Sequence, residues 1–193
     1  MNYTLLGSQT SPFVRRIRMA MENIPFDFKE LNIFETDDAL TLNKYNPVNQ
    51  VPVLIHEEFR ILDSRHIFNY LNKIHKFQEL GWEEENQLTI IEGAMNSGVN
   101  LLLMKRSGMK IDEPYMFVNR QKERLDSVLD YLRPYLEGPA LNDWNFITMT
   151  LYSFLDWGVY RGILNLDLRP ECHKFLEHYK NKAIVQQTAI PKV

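Results

Sequence analysis

The sequence GSQTSPFVRRIR, residues 7–18, predicts the end of a strand, a short loop and the start of a helix. The apolar run Tyr3–Leu6 precedes it and stops at Gly7. Pro12 suits the first position of a helix, where its missing N–H costs no hydrogen bond. Ser11 then becomes the N-cap, whose hydroxyl lies beside free backbone amides and the positive end of the helix dipole. The stretch therefore predicts a place where an anion can bind.

The composition argues against several classes of protein. The 193 residues carry a formal net charge of −3, which provides no basic field for nucleic acid. Cys172 is the one cysteine, so an internal disulfide is impossible, and no Cys or His pattern has metal-ligand spacing. The N-terminus lacks signal-peptide features, and no apolar run approaches the roughly 18 residues of a membrane span. We expect a cytoplasmic protein without metal, nucleic acid or membrane partners.

Strand and helix signals alternate along the first third of the chain. After the first strand and helix, residues 26–31 alternate in hydrophobicity as a strand does, and a short helix stops before Pro47. Two apolar runs around residues 56–58 then indicate an antiparallel hairpin. Asp63 and Ser64 are good capping residues for the helix that follows. The predicted order of elements is βαβαββα.

The strand signals stop after this helix. Residues 75–86, HKFQELGWEEEN, are polar and contain Gly81, which is typical of a linker. Beyond them, apolar residues recur at helical spacing only. This distribution predicts an α+β protein with two domains. The predicted parts are an N-terminal domain at residues 1–76, a linker at residues 77–86 and an all-α helical bundle at residues 87–193.

Four segments resemble soluble glutathione S-transferases. SPFVRRIR at residues 11–18 resembles the start of the first helix in that family's thioredoxin-like domain. NQVPVL at residues 49–54 resembles its segment with a cis-proline, and the Asp-Ser pair at residues 63–64 resembles its Glu-Ser cap of the third helix. NFITMTLYSFLDW at residues 145–157 resembles its buried sixth helix. The resemblance covers nearly the whole chain and implies a thioredoxin-like domain followed by a helical one.

The resemblance implies reduced glutathione as cosubstrate, with Ser11 as the catalytic residue. A free thiol has a pKa of about 8.5, and a hydroxyl donor together with helix amides lowers the pKa of a bound thiol. Glutathione, and not the protein, would then be the nucleophile. Ser8 and Thr10 are neighbouring hydroxyls that could take this role, and the simpler alternative is that Ser11 only caps its helix. Because serine forms no mixed disulfide, disulfide exchange by the protein itself is not expected.

The remaining glutathione contacts are also implied by the resemblance. The backbone of Val51 would pair with the cysteinyl part of the ligand as an added strand does. Asp63 would meet the γ-glutamyl amine, although it is one methylene shorter than the usual Glu, and Ser64 would meet the γ-glutamyl carboxylate. Gln50, or Asn49, would reach the glycyl carboxylate. The alternatives are an ordinary Val-Pro strand start and a plain N-cap. The full predicted set is Ser11, Phe13, Gln50, Val51, Pro52, Asp63 and Ser64.

The predicted function is transfer of glutathione to a small hydrophobic electrophile. The electrophile would bind between the domains, beside Phe13 and residues of the first long helix such as Met95, Val99 and Leu103. The same positions are equally explained as core or as contacts of the homodimer that the resemblance implies. One alternative is a non-enzymatic binding module similar to the bacterial stringent-starvation proteins, which bind RNA polymerase. Another is a glutathione-dependent isomerase or dehalogenase.

The arginines of the first helix and the cap of the sixth helix lead to two further expectations. Arg15, Arg16 and Arg18 are expected on a solvated face or in a domain-interface salt bridge, with added positive potential near a bound thiolate as the alternative. Asn145 can cap the sixth helix. Thr148 stands where the family has an Asp, and it has no carboxylate to return to the cap amide. This departure weakens a folding signal and does not touch the predicted site.

Overall fold

The computed structural model describes residues 2–138 and 143–191. The strands of this part of the chain are β1 (Tyr3–Gly7), β2 (Phe26–Glu30), β3 (Val53–His56) and β4 (Phe59–Leu62). Its helices are α1 (Pro12–Ala20), α2 (Thr36–Asn43), α3 (Ser64–His75), α4 (Trp82–Arg106), α5 (Met116–Glu137), α6 (Phe146–Tyr160), α7 (Pro170–Tyr179) and α8 (Ala183–Gln187).

The four strands form one mixed sheet with the spatial order β2-β1-β3-β4. β1 runs parallel to β2 and antiparallel to β3, and β3 and β4 form the antiparallel hairpin. Helices α1 and α3 pack against each other. Apolar side chains of the strands and of these helices are fully buried, among them Leu5, Val14, Leu54 and Leu71. The predicted α+β class, with a thioredoxin-like βαβαββα domain, is confirmed.

The transition from β1 to α1 follows from three residues of the opening stretch. A Cβ on Gly7 would lie 2.6 Å from a methyl carbon of Val14, so a larger residue there would collide with α1. Ser11 has extended backbone angles, and its hydroxyl accepts a hydrogen bond from the Val14 N–H at 3.3 Å. Pro12 occupies the first helical position. The predicted strand, loop and capped helix are all present.

Residues 80–181 form a second compact unit, which is helical. Helix α6 buries residues on every side, as its nearly continuous apolar sequence predicts. Trp157 of this helix approaches α4 so closely that a Cβ on Gly98 would lie 2.9 Å from the indole ring. The helical domain that follows the thioredoxin-like domain is thus confirmed.

The start of α6 shows how a hydroxyl replaces the missing carboxylate. The Asn145 side chain accepts hydrogen bonds from the N–H groups of Ile147 at 3.0 Å and Thr148 at 3.1 Å. The Thr148 hydroxyl in turn accepts from the Asn145 N–H at 2.8 Å and donates to the Asp143 carbonyl at 2.8 Å. The cap is therefore reciprocal, and the substitution at Thr148 does not weaken it as the sequence suggested.

The boundaries of the two units differ from the predicted ones. Helix α4 begins at Trp82, inside the predicted linker. The three glutamates at residues 83–85 were assigned to the linker because they are polar, but they occupy the first turn of α4. Acidic side chains in this turn interact favourably with the helix dipole. Glu84 also accepts a hydrogen bond from the Gly81 N–H at 2.7 Å. At the other end, residues 182–191 group with the first unit, which runs up to Glu79. The predicted division at residues 76 and 87 and the assignment of the whole C-terminus to the bundle therefore need correction.

Candidate active site

The register of the sheet brings three separate segments to one edge. Leu6, at the end of β1, pairs with Val53, at the start of β3. Val53 pairs on its other side with Leu62, at the end of β4. The loop after β1, the residues before β3 and the start of α3 therefore adjoin the same edge of the sheet. These are the three segments that carry the predicted site residues.

Ser11 is half-buried at the start of α1, with its hydroxyl capping the helix. Accepting from the Val14 N–H leaves the hydroxyl hydrogen available for donation, because a serine accepts and donates at once. Capping a helix and donating to a ligand are therefore compatible. The other two hydroxyls of the loop lie 3.1 Å apart, Ser8 Oγ from Thr10 Oγ1, and so bond to each other. Ser11 and whichever of these two hydroxyls accepts in their pair thus each keep a hydrogen to donate, and the role of Ser11 toward a thiol stays a prediction.

Val51 and Pro52 lie directly before β3, and the peptide bond between them is cis. Pro52 is buried and Val51 is half-buried. Gln50 is exposed, and its backbone carbonyl accepts a hydrogen bond from the Asn46 side-chain amide at 2.7 Å. Asn49 is also exposed and adopts a φ of 54°. The exposed amide side chains of Asn49 and Gln50 thus lie next to Val51 in the chain. The resemblance implies that the Val51 backbone pairs with the peptide backbone of the ligand.

Asp63 caps α3 from an unusual backbone conformation, with φ 68° and ψ 134°. A positive φ in a residue other than glycine costs on the order of 1 kcal/mol or more and is common at ligand sites. One carboxylate oxygen accepts from the N–H groups of Arg65 at 2.8 Å and His66 at 3.3 Å. The plain N-cap that the sequence suggested is therefore present. The Asp63 side chain remains exposed, whereas Ser64 is buried.

The solvated face expected for the arginines of α1 is wrong for two of them. Arg15 and Arg16 expose 2% and 1% of their surface. Arg16 Nη2 donates to Ser64 Oγ at 2.6 Å, and Arg15 Nη2 donates to the Val185 carbonyl of α8 at 3.3 Å. Helix α1 is thus covered both by α3 and by α8. Sequence reasoning missed Arg16 as a neighbour of the site, because nothing in residues 7–18 indicates a distant acceptor.

Arg18 is half-buried on the same helix. Its Nη2 donates to the Gln187 carbonyl at 3.2 Å, and its guanidinium lies 4.7 Å from the centre of the Phe28 ring. Burial, followed by the neighbouring charge of Arg15, lowers the pKa of Arg18. The side chain therefore helps to hold α8 against the first unit.

The residues predicted to line an electrophile pocket differ in exposure. Phe13 is half-buried, with its ring centre 5.4 Å from the Arg16 guanidinium carbon. In α4, Met95 is buried, Val99 is half-buried and Leu103 is exposed. A role for these side chains in binding an electrophile stays a prediction.

Within residues 2–138 and 143–191, no group of three or more His, Cys, Asp or Glu side chains is arranged to hold a metal ion. No helix in the described part of the chain is both long enough and apolar enough to cross a bilayer.

The Cys172 thiol is expected to be unreactive in the folded protein. Burial raises the pKa of this thiol to about 12, so only about one part in ten thousand is thiolate at pH 8. An aromatic disulfide reagent at pH 8 should release no chromophore from the folded chain. After denaturation it should release one equivalent, because the sequence has one cysteine. Rapid labelling before denaturation would contradict the buried position of Cys172.

Comparison with known proteins agrees with this architecture. Residues 5–79 match the family model of the glutathione S-transferase N-terminal domain. The uncharacterized GST-like protein YibF of Escherichia coli K12 is 26% identical over 97% of this chain and 98% of its own length. A probable glutathione S-transferase of Glycine max is 39% identical over 37% of this chain and 32% of its own length. The likeness to the plant protein thus covers little more than a third of this chain.

Two solved structures have the same fold along their whole length. A glutathione S-transferase of Methylobacterium radiotolerans, in complex with glutathione sulfonate, superposes with a TM-score of 0.85 at 15% identity and covers 100% of this chain and 96% of its own. One from Methylobacillus flagellatus, with glutathione bound, has a TM-score of 0.83 at 20% identity, covering 98% of this chain and 100% of its own. Residues 5–79 therefore match a glutathione S-transferase N-terminal domain, and the chain as a whole has the fold of these solved glutathione S-transferases.

Proposed function

We propose that this protein binds reduced glutathione and promotes attack of its thiolate on a hydrophobic electrophile. In this reaction the sulfur forms a bond to an electrophilic carbon, the leaving group departs with its electron pair, and the thiol proton passes to solvent. The solved relatives that carry glutathione or glutathione sulfonate support the choice of ligand. Because one fold hosts many activities, the site itself has to carry the proposal.

The observation that carries the proposal is the meeting of three ligand-binding features at one edge of the sheet. The pairing of Leu6 with Val53 and of Val53 with Leu62 brings them there. The features are a capped helix N-terminus with a hydroxyl, a segment ahead of a strand for backbone pairing, and a second helix N-terminus with an exposed carboxylate. Glutathione has a thiol, a peptide backbone and a zwitterionic γ-glutamyl end, so each feature has a counterpart in the ligand.

Each predicted residue keeps its proposed role. Ser11 donates to the sulfur, and the α1 dipole adds to the stabilisation of the thiolate. The Val51 backbone pairs with the cysteinyl residue. The exposed Asp63 carboxylate attracts the γ-glutamyl amine, and Ser64 donates to the γ-glutamyl carboxylate. Gln50 is exposed, as a contact for the glycyl carboxylate requires. Phe13 and Pro52 complete the proposed set, and their apolar side chains would contact the ligand through shape alone.

Calorimetric titration of the purified protein with reduced glutathione tests the proposal. Wild type should bind, and Ser64→Ala should bind about tenfold more weakly, because a hydrogen bond to a charged group is lost. Ser127→Ala is the matched control, since Ser127 is an exposed serine of the helical unit. Conjugation of glutathione to an activated aryl halide, monitored through the absorbance of the product, then tests for transfer. Absence of wild-type binding at millimolar glutathione would overturn the proposal and favour the non-enzymatic binding module.

The electrophile, the homodimer and the cytoplasmic location predicted from the sequence stay predictions. A screen of aryl halides, enones and epoxides, with glutathione held constant, would identify the class of electrophile.

A further inference from the structure

Arg16 and Ser64 form a buried hydrogen bond between the two helices that start at the proposed site. Arg16 Nη2 donates to Ser64 Oγ at 2.6 Å, and each residue exposes 1% of its surface. Arg16 lies in the second turn of α1, and Ser64 is the first residue of α3. The bond therefore ties the helix that carries Ser11 to the helix that Asp63 caps.

The chemistry of the pair determines which way the serine hydroxyl acts. A guanidinium has donors and no acceptor, so in this pair Ser64 must accept. The hydroxyl hydrogen of Ser64 is then left to donate elsewhere, and among the described residues it has no protein acceptor. A hydroxyl that accepts from a cation also becomes a stronger donor, since bonds in a chain polarise one another. Because Ser64 is so little exposed, its partner largely sets the direction in which the hydroxyl meets a ligand.

We propose that Arg16 is a positioning residue that holds Ser64 as a one-way donor for the carboxylate of the γ-glutamyl group. The assignment rests on the proposed function and deepens it, because it names the residue that prepares the Ser64 contact. Asp63 serves the neighbouring amine, so the two helix starts together match a zwitterion.

Arg15 provides a matched control for Arg16. It lies on the same helix and is as deeply buried, but its Nη2 donates to the Val185 carbonyl of α8. Arg15→Met and Arg16→Met therefore remove the same charge and similar packing from the same helix. Only the second change should affect Ser64.

The test compares two ligands on each variant. One is reduced glutathione, and the other is 4-aminobutanoyl-cysteinylglycine, which is glutathione without the γ-glutamyl carboxylate. Calorimetry should show wild type binding glutathione about tenfold or more tightly than the analogue, because the carboxylate bonds are charge-assisted. In Ser64→Ala and Arg16→Met the ratio of the two dissociation constants should fall towards one. When Ser64→Ala and Arg16→Met are combined in one protein, the ratio should fall no further than in either single variant. Arg15→Met should keep the wild-type ratio.

The ratio separates positioning from structural damage, since a distorted protein would bind both ligands less well. If Arg16→Met does not fold, Arg16→Lys takes its place, and a smaller fall in the ratio is expected because the ammonium lacks the planar guanidinium geometry. A wild-type ratio in a folded Arg16 variant, beside a lowered ratio in Ser64→Ala, would overturn the assignment alone. A wild-type ratio in Ser64→Ala would overturn it as well. Failure of wild type to bind glutathione would overturn the proposed function and this assignment with it.

Discussion

Replacing Ser11 with alanine is expected to lower the rate of glutathione conjugation about a hundredfold, with glutathione still bound. Loss of one preorganised donor to a developing anion costs on the order of 10²-fold in turnover. The Ser11 hydroxyl favours the thiolate, so the pKa of bound glutathione should rise when it is removed. The measurement is the pH profile of the turnover number, in which the rise of rate with pH should move to higher pH in Ser11→Ala.

The same change also removes a helix cap, which needs its own control. Loss of a serine cap to alanine costs about 1 kcal/mol of stability, whereas glycine costs only a few tenths. Ser11→Gly should therefore be as slow as Ser11→Ala while being more stable. With Ser11 as the donor, Ser8→Ala and Thr10→Ala should keep near-normal rates, because they leave the Ser11 hydroxyl and its helix cap in place. Activity that survives in Ser11→Gly but disappears in Thr10→Ala would move the catalytic role to Thr10.

Replacing Trp157 with alanine should destabilise the protein by about 4 kcal/mol, the usual cost of emptying a large aromatic site in a core. Trp157 exposes 2% of its surface, and its indole ring packs against α4 at Gly98. The free energy of unfolding, measured by urea denaturation and followed by circular dichroism, reports the loss. A residue of this size leaves a cavity that close-packed neighbours fill only in part.

Trp82→Ala is the control for the same substitution. Trp82 exposes 86% of its surface at the start of α4, so its removal should change the free energy of unfolding by no more than about 0.5 kcal/mol. Comparable losses in the two variants would mean that α6 is not the buried helix described above.

The local sequence was sufficient wherever neighbours in the chain decide the conformation. Gly7, Ser11 and Pro12 predict the end of β1, the cap and the start of α1, because each acts through its own backbone or through amides within a few residues. The nearly continuous apolar sequence of α6 predicted its burial for the same kind of reason. The resemblance to a known family also depends on such local segments, and it correctly gave the thioredoxin-like domain followed by helices.

Local sequence was misleading where the same residues suit two environments. Three glutamates at residues 83–85 fit a solvated linker as well as the first turn of a helix, and the structure places them in α4. At Thr148 the sequence showed a missing carboxylate, but the hydroxyl completes the cap because it reaches the Asn145 N–H.

By itself, the sequence determined the elements, their order and the residue types available for a thiol, an amine and carboxylates. Only the tertiary structure decided that the three site segments share one edge, because strand register is set by pairing between distant residues such as Leu6 and Val53. The tertiary structure also decided that Arg15 and Arg16 are buried. An arginine is solvated or buried according to what covers its helix, and here the covering elements are α3 and α8, 48 and 170 residues away at their bonding partners.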